Sequence, residues 1–404
     1  MRPQCVRYMS LNPKIIIKNE RVKNLQAGHP WIFSRGVKKV SEEAANGAVC
    51  GIYDEQYRFQ ATGYYNKNSE IRVRILSWKD EEINKAFFLA RIQALRETKE
   101  EFLPPETDSY RVVFGESDLL PGLIVDKYAN VLVIQLHTLG MDRLRDAIVE
   151  ALKDVFQPST IYERSDVGVR QKEGLKTQPK QLLFGENLEE VLIQENGIHF
   201  WVNFREGQKT GFFLDQRENR NLLTRFCRNR RVLNCFAYTG AFSVYAALAG
   251  AKRVDSVDIS AKAMEYARKN FEANRINTRK HQFIDADVFE YLKNMPQNEY
   301  DLIILDPPSF AKNKEQVKNA IKAYTTINSK ALEKLPPHGI LVASSCTTHI
   351  DEQTFIKILH QSSVNARCKC KVLASTMQPH DHPYNLSFPE GRYLKFFVLQ
   401  KTEG

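Results

Sequence analysis

The chain has 404 residues, 43% of them apolar, and a net charge of +10 at neutral pH. That length and apolar content allow two or three domains with their own cores and exclude a disordered chain. No apolar run approaches the ~18–20 residues of a membrane helix, residues 1–10 hold no apolar signal core, and the seven cysteines include no CxxC pair. A cytoplasmic protein with reduced thiols and no membrane partner is expected.

Residues 1–80 read as the first unit. Short β-like runs at 14–18, 47–53 and 71–76 are separated by Gly, Asn and charged turns, the pattern of a small β-barrel. At 71–75 the order Ile-Arg-Val-Arg-Ile sets an apolar face against a basic one. The unit carries 14 Lys/Arg and 7 Asp/Glu, a net of +7, while the other 324 residues supply only +3. A basic segment of this kind suits a polyanion, RNA or DNA. The turn His29-Pro30-Trp31-Ile32-Phe33 reads as a packing anchor whose aromatics are also able to stack on bases.

Residues 81–195 read as an α+β unit. A helix over 82–102 ends at Pro104-Pro105, and strands follow near 111–114, 122–126 and 131–137. A helix over 141–156 stops at Pro158, and strands return at 160–163 and 190–195. The expected arrangement is helices on an antiparallel sheet, with no cofactor motif.

Residues 196–404 alternate strand and helix. Strands are expected at 231–235, 254–258, 281–284, 300–305, 340–343, 371–374 and 393–399. Helices are expected at 240–248, 260–271, 288–293, 315–335 and 351–365, the second capped by Ser260 with Met264, Ala267 and Phe271 on its core face. Repeated β-α units imply a doubly wound α/β sheet, here closed by an antiparallel terminal hairpin.

Candidate site residues sit where such sheets hold ligands, at the carboxyl ends of strands. Asn234-Cys235-Phe236-Ala237-Tyr238-Thr239-Gly240 makes the first strand-to-helix turn, with one glycine instead of GxGxxG, so a diphosphate cradle is not expected. Asp258, 18 residues past Gly240, is placed to accept from ribose hydroxyls. Asp287 is placed to accept from an adenine amino group, or else to cap the helix that follows. Together they fit an adenosine ligand without a diphosphate, S-adenosyl-L-methionine. Leu302 to Leu305 is an apolar run that stops at Asp306-Pro307-Pro308, and Cys346 follows a later apolar run. A cysteine thiolate beside a carboxylate suits covalent activation of a pyrimidine ring. The alternative for Cys346 is a small packed residue at a strand end. His349 is a candidate proton acceptor, or a loop residue that hydrogen-bonds. Cys368 and Cys370 lack a second pair at zinc spacing, so no metal is expected.

The Asp306-Pro307-Pro308 turn resembles the substrate-base loop of nucleic-acid methyltransferases, with its aromatic, Phe310, one residue late. Three longer stretches carry a closer likeness: 116–128 (Glu-Ser-Asp-Leu-Leu-Pro-Gly-Leu-Ile-Val-Asp-Lys-Tyr), 162–166 (Tyr-Glu-Arg-Ser-Asp) and 211–217 (Gly-Phe-Phe-Leu-Asp-Gln-Arg). The chain resembles, over nearly its whole length, the bacterial 23S ribosomal RNA cytosine-5 methyltransferases with an N-terminal PUA domain. The resemblance implies a PUA-like domain at 1–80, a central α+β domain at 81–195, and a Rossmann-like seven-stranded class I methyltransferase domain at 196–404. It implies that 211–217, with Phe212 and Gln216, lines the cofactor site. It implies Cys346 and Asp306 as catalytic residues, with large-subunit ribosomal RNA, naked or in an assembly particle, as the partner. Other cytosine-5 RNA methyltransferases carry a second cysteine after a proline in the central loop, and this chain has none there. The rival readings are an RNA guanine-N7 methyltransferase, which needs no cysteine, an amino-nitrogen methyltransferase, and an inactive RNA-binding assembly factor. The target nucleotide and the oligomeric state, a homodimer included, stay open.

Overall fold

A computed structural model describes residues 13–176, 180–311 and 313–402. The first unit is a six-stranded sheet of β1 (Lys14–Ile17), β2 (Trp31–Phe33), β3 (Val37–Val40), β4 (Val49–Tyr53), β5 (Phe59–Tyr65) and β6 (Ile71–Ser77), ordered β2-β6-β5-β4-β1-β3. A short helix α1 (Asn19–Gln26), not foreseen from its polar sequence, buries only Leu25. Inward residues Ile15, Ile17, Ile32, Val73 and Ile75 share one core. The basic face expected on β6 is corrected at Arg74. That side chain is buried and donates to Glu173 of the second unit at 2.9 Å, because a buried guanidinium needs a fixed carboxylate. Most of the exposed basic residues lie on the stretch from Lys14 to Lys39, among them Lys18, Arg21, Lys23 and Arg35, with Arg58, Lys67 and Lys79 beyond it.

The second unit begins with α2 (Lys85–Glu101), whose Asn84 cap accepts from Ala86 N and Phe87 N. Its sheet runs β11-β10-β9-β8-β7, from β7 (Tyr110–Phe114), β8 (Leu123–Tyr128), β9 (Val131–Leu136), β10 (Thr160–Glu163) and β11 (Gln181–Gly185). The sheet is mixed, not purely antiparallel: β9 and β10 pair parallel. The helices between them, α3 (Leu139–Arg143) and α4 (Arg145–Phe156), form a crossover, which returns the chain in the same direction. A short helix α5 (Val169–Lys172) follows β10. Strands β12 (Glu190–Glu195) and β13 (Ile198–Asn203) form a hairpin that spans position 195 and packs on the third unit. Trp201 N donates to Asn270 there at 2.7 Å.

The third unit holds helices α6 (Arg217–Leu223), α7 (Ala241–Leu248), α8 (Ala261–Ala273), α9 (Val288–Asn294), α10 (Val317–Lys334) and α11 (Glu352–Asn365). Its strands are β14 (Arg231–Cys235), β15 (Arg253–Asp258), β16 (Gln282–Asp285), β17 (Leu302–Leu305), β18 (Ile340–Ser345), β19 (Lys369–Thr376) and β20 (Lys395–Thr402). They form one seven-stranded sheet, ordered β16-β15-β14-β17-β18-β20-β19, parallel except for β20, which is antiparallel to both neighbours. The period-2 alternation of strands explains why central runs are apolar throughout. Leu302 and Ile304 face one core and Ile303 and Leu305 the other. Ser260 caps α8, and Met264, Ala267 and Phe271 are buried along it. Among the described residues no helix is long and apolar enough to cross a membrane.

The three units meet at the loop between β19 and β20. Its Phe388 packs 4.7 Å from Trp31 of the first unit, and Trp31 donates to Glu116 of the second at 3.1 Å.

Candidate active site

A cavity of about 640 Å³ opens at the carboxyl ends of β14, β15, β17 and β18. Phe212, Gln216, Phe236, Asp258, Asp306 and Cys346 all line it. The first and second come from the loop before α6 and the rest from strand ends, so sheet topology brings together residues up to 134 positions apart.

Asp306 leaves β17 at the point where two prolines remove the N–H groups that would continue a ladder. Both of its oxygens accept from Gln216 Nε2, at 3.0 Å each. Gln216 is oriented in turn by Asn219, whose amide donates to Gln216 Oε1 at 2.6 Å. Burial, reinforced by the charge of Asp215, raises the Asp306 carboxyl to about 6 against the bonds from Ser344 and Gln216. A carboxyl with a raised folded-state pKa destabilises the fold once ionised, so stability falls as pH rises from 3.8 through about 6. Asp306→Asn is therefore expected to raise the thermal midpoint by ~2–4 °C at about pH 8, with the gain fading as Asp306 protonates on acidification. Thermal melts of both proteins across pH check this, and an equal gain at every pH would refute it.

Cys346 follows β18 and is part-buried on the cavity wall. Burial pushes its thiol up, as do Asp306 and Asp215, while Lys209 and Lys395 pull it down. Among the described residues its sulfur makes no hydrogen bond.

The β14–α7 turn curls tightly around the other end of the cavity. Phe236, Tyr238 and Gly240 adopt φ of +58°, +47° and +75°, left-handed conformations that aromatic residues rarely take. Tyr238 closes the roof: its hydroxyl donates to Gly211 O at 2.9 Å and accepts from Gln208 N at 3.0 Å. The buried carboxylate of Asp258 accepts from Tyr238 N at 2.9 Å and Ser260 N at 3.0 Å, which fixes it at the cavity wall.

Three sequence-based candidates fall outside the lining. Asn234 lies within β14 and donates to Ser243 Oγ at 2.9 Å. Gly240 is the N-cap of α7, where a Cβ would stand 2.8 Å from that of Ala267. Asp287 caps α9 through Glu290 N at 3.0 Å, because the first N–H groups of a helix draw the nearest carboxylate. His349 is exposed and also away from the cavity. Asp215, within the 211–217 stretch, and Tyr238, within the 234–240 turn, also line the cavity, as do Lys209 and Ile259, which carry no signal in the sequence. Asp215 accepts from Tyr393 Oη at 2.6 Å and Lys209 Nζ at 3.2 Å. Burial opposes its charge, yet Lys209, His382 and Tyr393 hold its carboxyl well below the usual range. Its place in the 211–217 stretch is its signal in the sequence.

The lining suits a nucleoside with a charged tail. Phe236 and Ile259 offer apolar faces, Asp258 offers a fixed acceptor for hydroxyls, and Asp215 and Lys209 offer charges. Comparison with known proteins agrees. Residues 128–365 match the S-adenosylmethionine-dependent methyltransferase family model, and residues 15–78 match that of a PUA-like domain. The ribosomal RNA large subunit methyltransferase I of Vibrio parahaemolyticus is 40% identical, over 96% of this chain and 98% of that protein. Its namesake from Aeromonas hydrophila is 39% identical, over 96% of this chain and 100% of that protein. The crystal structure of the methyltransferase SMU.776 in complex with SAH superposes with a TM-score of 0.82 at 29% identity, covering 96% of this chain and 99% of that one. The cofactor is S-adenosylmethionine. The chain belongs to the S-adenosylmethionine-dependent methyltransferase family, among the relatives of ribosomal RNA large subunit methyltransferase I.

Proposed function

We propose that the chain methylates C5 of a cytosine in large-subunit ribosomal RNA through a covalent bond between Cys346 and C6 of the base. The relatives' names supply the RNA class. The observation that carries the base and the mechanism is the placement of Cys346 and Asp306 just past two neighbouring parallel strands, on one cavity with Asp258.

C5 of cytosine is a weak nucleophile. Addition of the Cys346 sulfur at C6 makes the ring enamine-like and moves electron density to C5. Burial keeps the free Cys346 thiol protonated, so its proton must leave as the C6–S bond forms. Asp306, ionised above about pH 6, faces the N3/N4 edge of the base and shares the proton that N3 gains. S-adenosylmethionine supplies an electrophilic methyl group. Solvent water takes the C5 proton as the C6–S bond breaks, and the proton held between N3 and Asp306 returns to the sulfur, which restores the aromatic ring and the thiol. Phe212, Gln216, Phe236 and Asp258 hold the cofactor. The target base must be unstacked, which costs a few kcal/mol. Phosphate contacts by the exposed basic residues of α1 and its flanking strands offset this cost.

The test is to incubate the protein with unmodified large-subunit RNA and methyl-labelled S-adenosylmethionine, digest the RNA and identify the labelled nucleoside by mass spectrometry. The expected product is 5-methylcytidine. Label on guanosine or adenosine would reject the cytosine reading, and guanosine N7 would favour a site that needs no cysteine.

A further inference from the structure

A chain of hydroxyl groups surrounds Cys346 without touching its sulfur. Tyr324, fully buried on α10, lies at its centre. Its hydroxyl accepts from Ser345 Oγ at 3.1 Å and shares a hydrogen bond with Thr347 Oγ1 at 2.9 Å. One phenol thus ties down both chain neighbours of Cys346. Thr347 Oγ1 continues to Ser309 Oγ at 3.1 Å, and Ser309 lies in the loop that begins with Asp306. The ring of Tyr324 also packs 4.7 Å from that of Phe310 in the same loop. From the far side, Lys395 Nζ donates to Thr347 O at 2.7 Å. Burial pushes the Tyr324 phenol up to about 12, so it stays neutral and keeps its proton for this network.

We propose that Tyr324 is a positioning residue that locks the Cys346 sulfur and the Asp306 loop into one rigid frame. The inference rests on Cys346 being the nucleophile. A buried, fully satisfied polar network rigidifies its members, and a reacting group displaced by about 1 Å can lose ~100-fold in rate. Of this network only Ser309 reaches the cavity wall, and Tyr324 itself is fully buried behind it. The phenol therefore acts on the chemical step and leaves binding alone.

The experiment compares wild type with Tyr324→Phe, which keeps the ring and removes only the hydroxyl. Single-turnover methyl transfer is expected to fall ~10–100-fold, with KM for RNA and Kd for SAH within about twofold of wild type. Ser309→Ala probes the same network from its part-buried end on the cavity wall and remains informative where Tyr324→Phe fails to fold. It is expected to lower the rate with the same split between rate and binding. An unchanged rate in either folded variant overturns the inference. So does a loss that appears equally in KM and Kd, since that marks a general loosening of the fold. Wild type that makes no 5-methylcytidine would instead reject the underlying cytosine reading.

Discussion

Cys346→Ala is expected to lower methyl transfer by at least ~1,000-fold, because removing a nucleophile abolishes a pathway instead of weakening it. Cofactor binding should survive. Cys346 is one of many residues on the cavity wall, and Asp258 and Phe236, which line it at other strand ends, are untouched. SAH should therefore bind the variant with a Kd within about twofold of wild type by calorimetry. Cys346→Ser should fail almost as completely, since a serine hydroxyl is a far weaker nucleophile at neutral pH than a cysteine in equilibrium with its thiolate. The pairing of lost transfer with retained binding separates a chemical role from a packing one. An alanine variant that keeps more than a tenth of wild-type activity would return Cys346 to the status of a packed strand-end residue.

The largest expected effect on stability comes from the ion pair between Arg217 and Asp381, both fully buried. Arg217 donates to the two oxygens of Asp381 at 2.7 and 3.2 Å. Asp381 also accepts from Arg111 N of the second unit at 2.9 Å, so the pair pins two units together. Burial opposes the charge on Asp381, but His382 and Arg217 hold its carboxyl well below the usual range. A depressed carboxyl contributes stability that is full above its unfolded value of 3.8 and is lost as pH falls below it. Arg217→Met leaves a buried carboxylate without its guanidinium, a change that costs about 3–5 kcal/mol. The urea midpoint should fall accordingly, and activity should fall with it, because Arg217 adjoins the Gln216 that fixes Asp306. The double variant Arg217→Met/Asp381→Asn should recover much of the loss, since no unpaired buried charge remains. A loss below about 1 kcal/mol in the single variant would show that Arg111 and His382 suffice to hold Asp381.

Legibility followed locality. The run Leu302 to Leu305 and the stripe of Met264, Ala267 and Phe271 carry their period in the sequence, so β17 and α8 were readable. β5 was not: Gln60 and Gly63 interrupt its apolar pattern, and Gly63 is there because a Cβ would stand 2.3 Å from Arg74 O of β6. β13 escaped notice because a domain boundary was set inside its hairpin. At the site, Asp258, Asp306 and Cys346 could be found because strand ends mark them. Arg74 misled because its partner Glu173 is 99 residues away. Asp287 could be read two ways because the same residue type caps helices and accepts from adenine, and the structure shows the cap. Tyr324 had no local signal: it acts through Ser345 on β18, a contact that only the folded sheet creates.

The most direct test of the covalent cytosine mechanism uses large-subunit RNA in which cytidine is replaced by 5-fluorocytidine, incubated with the protein and S-adenosylmethionine. Fluorine does not leave C5 as a proton does, so the cysteine cannot be eliminated after methyl transfer. The expected result is a complex that resists denaturation, with the RNA attached to the peptide containing Cys346, and no such complex with Cys346→Ala. Free protein alone, or attachment at any other residue, would contradict the mechanism.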